Sequence, residues 1–213
     1  MELKELKNKG QNLLLLNKNI LRNFEKRQNV LDANIKYWLK KGELIQLKKG
    51  FYVLKDRYQT EIDKDLYLEY LANQLVVPSY LSLEYVLAKY QILSEPAQSI
   101  TSITTLTTRE TVNQFANFRY YSVTRRLFTG FKASKRFYGS PVLEATKEKA
   151  VFDYLYLRFS KDEPINQESI KNLRLNWENI SSKEFVKIYS YLDFTNSQRV
   201  KKILDLIKIL FKF

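Results

Sequence analysis

Apolar residues recur at helical spacing through Val30 or Leu31, Ile35, Trp38 and Leu39. That spacing predicts a helix with one buried face, leaving Asn34, Lys36, Tyr37, Lys40 and Lys41 on the other. Gly42 stops it, because glycine alone enters the left-handed conformation of a helix C-terminus without strain. Leu44, Ile45 and Leu47 then lead into Lys48-Lys49-Gly50, and Phe51-Tyr52-Val53-Leu54 returns, the pattern of a hairpin with a basic tip. Upstream, residues 2–9 read as a short polar helix ending at Gly10. Leu13 to Leu16 fits either a brief strand or the start of the next helix. Asn17 or Asn19 would cap a helix that turns Ile20, Leu21 and Phe24 inward, with the turn into the following helix at Gln28-Asn29. Helix, helix, glycine and hairpin in this order are the pattern of a winged helix-turn-helix, expected over residues 1–58, with the polar stretch Asp56 to Glu61 as a linker.

Downstream, Ile62 to Val77 carries Leu66, Tyr70, Leu71 and Leu75 on a broad apolar side and ends at Pro78, since a residue before proline disfavours the helical region. A second helix is expected from Ser82, whose hydroxyl would accept from the first-turn amides, with Glu84 near the positive end of the dipole. Strands are expected over Ser99 to Thr108, Phe118 to Val123, Leu127 to Phe131, and Arg136 to Leu143, the last bent or bulged at Gly139 and Pro141. Thr146 would cap a helix reaching Phe159 with Ala150, Val151, Tyr154 and Leu155 inward. Helical patterns follow at Gln167 to Leu175, Ser182 to Leu192 and Ser197 to Lys212, the last with an apolar stripe through Val200, Ile203, Leu204, Ile207, Leu210 and Phe211. The expected fold class is α+β: the winged helix, then a second domain over residues 59–213 with a small sheet and C-terminal helices.

Charge adds a location to this outline. The net charge is +13, and residues 1–60 hold 14 Lys and Arg against 6 Asp and Glu, net +8. A positive field concentrated at one end favours a polyanion, nucleic acid above all. The chain has no Cys and no His, which excludes disulfides, zinc ribbons, thiol nucleophiles and His-based general bases. No cofactor is implied. The N-terminal MELKELKNKG mixes acids with bases, and only four apolar residues follow at Leu13 to Leu16. That is neither a signal peptide nor a membrane span, so a cytoplasmic location without membrane contact is expected.

Four constellations carry candidate chemistry. On the winged helix, Asn34, Lys36 and Tyr37 are placed to meet base edges, while Lys40, Lys41, Lys48 and Lys49 meet phosphates. Between Glu110 and Glu144 no acid occurs, and Arg119, Arg125, Arg126, Lys132, Lys135 and Arg136 alternate with Tyr120, Tyr121, Phe128, Phe131, Phe137 and Tyr138. Such a face could bind phosphates and stack bases; equally, it could be a sheet with an apolar inside and a solvated outside. Glu148, Lys149 and Asp153 share a helix face, and the structural reading is a helix start with an i,i+4 ion pair. Gly139-Ser140 begins a nucleotidyltransferase pattern, but only Glu144 and Asp153 follow, without the closely paired carboxylates that hold two metal ions, so no enzyme is expected.

PSYLSLEYVLAKYQIL at Pro78 to Leu93, the TSITT strand, and GSPVLEATKEKAVFDYLYLR at Gly139 to Arg158 complete a resemblance that begins at the winged helix. The chain resembles the AbiEi antitoxins of type IV abortive-infection toxin-antitoxin systems over about residues 20–160, with Ala145, Glu148, Lys149, Ala150 and Asp153 on the family's helix-start motif. The turn before the recognition helix lacks the family's common glycine, and residues 165–213 match only in being helical. The resemblance implies an autorepressor that binds inverted repeats in its own promoter on double-stranded DNA. It also implies an antitoxin that opposes a cognate nucleotidyltransferase-like toxin, usually indirectly and without a stable complex. A plain winged-helix regulator with an effector- or partner-binding C-terminal domain is the alternative.

Overall fold

The computed structural model describes residues 2–10, 12–160 and 163–213 of the chain. It is a mixed fold of helices and two sheets, α+β in class. Two compact units divide it: Met1–Leu71 with Thr111–Asn117, and Ala72–Glu110 with Phe118–Phe213.

The first unit runs α1 (Leu3–Gly10), β1 (Leu16–Asn17), α2 (Lys18–Phe24), α3 (Gln28–Lys40), β2 (Leu44–Lys48), β3 (Phe51–Leu54) and α4 (Lys55–Gln59), and α5 (Lys64–Leu75) begins in it. The ambiguous leucine run resolves as a two-residue strand at its end, where Leu16 pairs with Tyr52, giving a sheet ordered β1-β3-β2. Asn17 is the cap: its side chain accepts the Ile20 amide at 2.9 Å. Leu6, Leu16, Leu21, Leu31, Ile35, Trp38, Leu44, Tyr52 and Leu54 form one core, with Ile20, Phe24 and Leu39 packed against it. Each fully buried aliphatic of this kind contributes about 1.5–3 kcal/mol, so the α3 stripe alone fixes which side of the helix faces out. Gly42, at φ 69°, ends α3 as expected. Its amide bonds to the Leu39 carbonyl and that of Glu43 to the Trp38 carbonyl, the paired closure of a Schellman motif.

Two local expectations for this unit are corrected. The turn before α3 is Glu25-Lys26-Arg27, because the Glu25 carboxylate turns back to accept the Arg27 amide and guanidinium at 3.1 Å each. Asp56 to Glu61 is not a linker. It holds all of α4 but Lys55, closed by an ion pair of Arg57 and Glu61 at 2.6 Å between two almost fully buried side chains. The unit continues beyond it: Tyr67 is fully buried and donates its hydroxyl to the Leu14 carbonyl, and Phe115 stacks on Tyr58 at 3.7 Å.

The second unit contains β4 (Ser79–Leu81), α6 (Leu83–Lys89), β5 (Ile100–Thr104), most of β6 (Arg109–Val112) and β7 (Asn117–Ser122), β8 (Phe131–Phe137), β9 (Ser140–Ala145), α7 (Lys147–Arg158), α8 (Gln167–Lys171), α9 (Ser182–Ser190) and α10 (Gln198–Phe211). Its strands are ordered β6-β7-β5-β4-β9-β8. The β5/β7 and β4/β9 pairs are parallel, and β4/β5 and β8/β9 antiparallel. The strand expected over Ser99 to Thr108 stops at Thr104, and β6 follows it unannounced. In place of a strand at Leu127 to Phe131 there is a 3-10 turn at Arg125–Leu127. Gly139 does not bend a strand but makes a hairpin: Tyr138 and Gly139 have φ 45° and 82°, the two positive values that a two-residue connection between right-twisted strands needs. Thr146 caps α7 as expected. Val200, Ile203, Leu204 and Ile207 of α10 are buried against α7 and α8, so its stripe serves its own unit.

Candidate nucleic-acid interface

With Leu31, Ile35 and Trp38 buried, the outward face of α3 presents Lys36, Lys40 and, at its end, Lys41, all exposed, together with Tyr37 at 55% exposure. The Lys41 ammonium lies 5.8 Å from the Tyr37 ring centre, so the two form a cation–aromatic pair on that face. Asn34 is half-buried at its margin. Lys49 stands exposed in the turn of the hairpin, and Lys48, half-buried, holds its ammonium 4.2 Å over the Phe51 ring. A bulge at Leu47 shifts the register between Gln46 and Lys48, and the Asn113 side chain donates to the Leu47 carbonyl at 3.3 Å.

Two participants escape sequence reading. Asp32 sits on the exposed face, bound by Lys18 at 2.7 Å and Gln28 at 2.8 Å, and the Lys18 ammonium leads in holding its carboxyl below the usual range. Its i,i+4 spacing to Gln28 is visible in the sequence, whereas Lys18 comes from another element. Asn113, 66 residues from Leu47, left no local signal at all.

The basic window of the second unit is dispersed by its topology. Arg119 lies on β7, where Glu110 pairs with it at 3.0 Å. Lys132, Lys135 and Arg136 lie on β8, separated from β7 by β5, β4 and β9. At about 4.8 Å per strand spacing, that is roughly 19 Å. Arg125 and Arg126 are exposed on the 3-10 turn, Arg126 donating to the Asp193 carbonyl at 3.4 Å, and Arg136 donates to the Gly139 carbonyl at 2.8 Å. The interleaved aromatics mostly face inward: Tyr120 and Phe137 are buried, and Phe128 and Phe131 pack on Tyr80 at 5.1 and 4.5 Å. Tyr121 is half-buried and Tyr138 stands out at 69% exposure. A bulge between Ala133 and Lys135 and three cations on an edge strand also serve to keep that edge from pairing with another sheet.

Lys149 and Asp153, one turn apart on α7, form an ion pair with essentially no exposure. The other Asp153 oxygen accepts the Tyr80 hydroxyl at 3.0 Å and the Ser82 hydroxyl at 2.9 Å. The Lys149 ammonium lies 5.4 to 5.8 Å from the rings of Tyr191, Phe152 and Tyr80. Burial pushes the Asp153 carboxyl up, against the pull of Lys149 and the two hydroxyls. Ser82 donates its hydroxyl to Asp153 and does not cap α6 as expected. Thr101 does so instead, its hydroxyl donating to the Ser82 carbonyl at 2.7 Å while its oxygen accepts the Tyr85 amide at 3.1 Å. Glu148 is paired with Lys187 at 3.1 Å, and buried Glu144 accepts from Lys89. Glu144 and Asp153, the acids nearest a nucleotidyltransferase pattern, are thus each held by a separate lysine. Among the described residues no group of three or more His, Cys, Asp or Glu is arranged to hold a metal ion, and no helix is long and apolar enough to cross a membrane.

Comparison of the sequence with protein-family models and with curated proteins returns no match.

Proposed function

We propose that the first unit is a winged helix that reads double-stranded DNA with α3 and grips the flanking phosphates with the β2-β3 hairpin. The observation that carries this reading is the outward face of α3, with Lys36, Tyr37, Lys40 and Lys41, followed directly by a hairpin whose tip is Lys48-Lys49. The order helix, strand, helix, helix, hairpin with its β1-β3-β2 sheet supports it, as does the excess of positive charge in residues 1–60. Lys36 and Tyr37, with Asn34 at the margin, are assigned to base edges, and Lys40, Lys41, Lys48 and Lys49 to phosphates. The remainder of the reading follows the resemblance to AbiEi antitoxins: a cytoplasmic, non-enzymatic autorepressor at inverted repeats in its own promoter. Its second unit counteracts a nucleotidyltransferase-like toxin.

Binding to a duplex from upstream of the coding sequence, followed by fluorescence anisotropy across a salt series, tests the DNA assignment. Four phosphate contacts per subunit give a slope of log K against log salt of roughly −3 to −4. The Lys48→Glu, Lys49→Glu variant is expected to lose most of that affinity with its melting temperature retained. A slope near zero, or unchanged binding by the variant, overturns the wing assignment. For the antitoxin assignment the readout is growth on co-expression with a neighbouring nucleotidyltransferase-like gene, where absence of rescue leaves only the regulator.

A further inference from the structure

The buried pair on α7 does more than fill the core: through Ser82 it fixes the strand-to-helix corner that aims Glu84. Leu83, immediately before it, has φ 60°, a left-handed conformation that a leucine adopts only when its surroundings hold it there. Asp153 on the Ser82 hydroxyl and Thr101 on the Ser82 carbonyl and Tyr85 amide supply that hold. Beside this corner lies a cavity of about 190 Å³ lined by Leu83, Glu84, Tyr121, Tyr154, Leu157 and Arg158. The Oε2 atom of Glu84 is buried and makes no hydrogen bond. A buried carboxylate oxygen without a donor is costly to leave so.

We propose that this cavity binds a small organic cation, a primary ammonium or guanidinium group, with Glu84 as anionic anchor and Tyr121 and Tyr154 as aromatic walls. The charge balance selects a cation. Two guanidiniums stand at the cavity, and each is paired through its Nε: Arg158 with Glu163 at 3.3 Å, and Arg119, which bonds to the Tyr121 side chain, with Glu110 at 3.0 Å. Glu84 is left to be neutralised by what enters. The field of Glu84 reaches both walls: after burial, it is the leading influence that pushes the Tyr121 and Tyr154 hydroxyls up. Tyrosine rings attract cations through their faces, and N–H donors answer the open acceptor of the carboxylate. The volume corresponds to about six water molecules, which suits a guanidinium with a short tail and falls below the roughly 300 Å³ at which pockets for larger ligands begin. Every residue involved belongs to the second unit, so the site stands independently of DNA binding by the first.

Calorimetric titration of the whole protein with agmatine and with putrescine tests the proposal, with inorganic phosphate as the anionic control. Saturable binding of at least one cation is expected, weakened tenfold or more in Glu84→Gln and tightened in Arg158→Ala, which removes the like charge that lines the cavity. Glu84→Gln without ligand is expected to melt no lower than the parent, because it removes a carboxylate whose Oε2 has no donor; this separates a binding role from a structural one. Equal affinities in the parent and Glu84→Gln overturn the site, as does binding of phosphate in place of both cations. Weaker cation binding in Arg158→Ala, or no saturable binding of either cation in the millimolar range, overturns it too.

Discussion

Lys149 places a charge in the middle of an apolar helix face, and its tolerance there depends on Asp153 and on the two hydroxyls behind that carboxylate. A buried ion pair gains little over apolar residues of the same shape, but breaking one leaves an uncompensated charge. Lys149→Met is therefore expected to cost about 3–5 kcal/mol in urea unfolding, and the double variant with Asp153→Asn, whose neutral amide oxygen still accepts from Tyr80 and Ser82, to recover part of it. Equal losses in the single and double variants would mean that the lysine's packing, not its charge, matters. The i,i+4 spacing of this pair is legible in the sequence. Its completion is not, since Tyr80 and Ser82 stand 73 and 71 residues from Asp153 and only sheet formation brings them there. The sequence assigns Ser82 a capping role because serine before a helix commonly caps; in the fold its hydroxyl donates to Asp153, and the Thr101 oxygen takes the Tyr85 amide.

At the scale of elements, caps and stripes are local and were legible: Leu31, Ile35 and Trp38 on α3, Gly42 after it, Thr146 before α7. Strand partners are non-local. Hence the hairpin of β8 and β9 reads in the sequence as one strand bent at Gly139 and Pro141, and a basic window continuous in sequence falls on β7 and β8, with three strands between them. The start of α9 offers a local device with a measurable signature. Ser181 and Glu184 form a capping box in which the Glu184 carboxylate accepts the Ser181 amide and hydroxyl, each at 2.8 Å, and pairs with Lys147 at 2.9 Å. Led by the Ser181 amide, these contacts bring the Glu184 carboxyl down from the ordinary 4.5 to about 2. The unfolded chain then binds more protons than the folded one between those values. The stabilisation is complete above about pH 4.5 and is lost as pH falls towards 2. Glu184→Gln should lower stability near neutrality by about 1 kcal/mol and flatten the decline in melting temperature over that acid range. An unchanged acid limb would place the loss elsewhere.

For the whole molecule, the division into units sets what can be cut. The sequence suggested a boundary at residue 58, whereas the first unit extends to Leu71 and takes in Thr111–Asn117. A fragment ending at residue 58 lacks fully buried Tyr67, whose hydroxyl holds the Leu14 carbonyl, and lacks Phe115, which stacks on Tyr58. Losing a buried aromatic of this size costs about 3–5 kcal/mol, a large share of the stability of a small domain. Such a fragment is expected to give a broad, low-temperature melt by circular dichroism, and a sharp transition matching the intact chain would show that those contacts are dispensable.

The brace from Asn113 to the Leu47 carbonyl bears on how the protein comes into being. A chain emerging from the ribosome has made every residue of α3 and the hairpin well before it has made Asn113. At roughly 5–20 residues per second, the 59 residues from Lys55 to Asn113 delay completion of the hairpin by roughly 3–12 s. During that interval the nascent chain already displays its lysines but holds the bulge at Leu47 without its brace. The bulge that follows α3 is thus braced only once a segment far removed from it in sequence has been made.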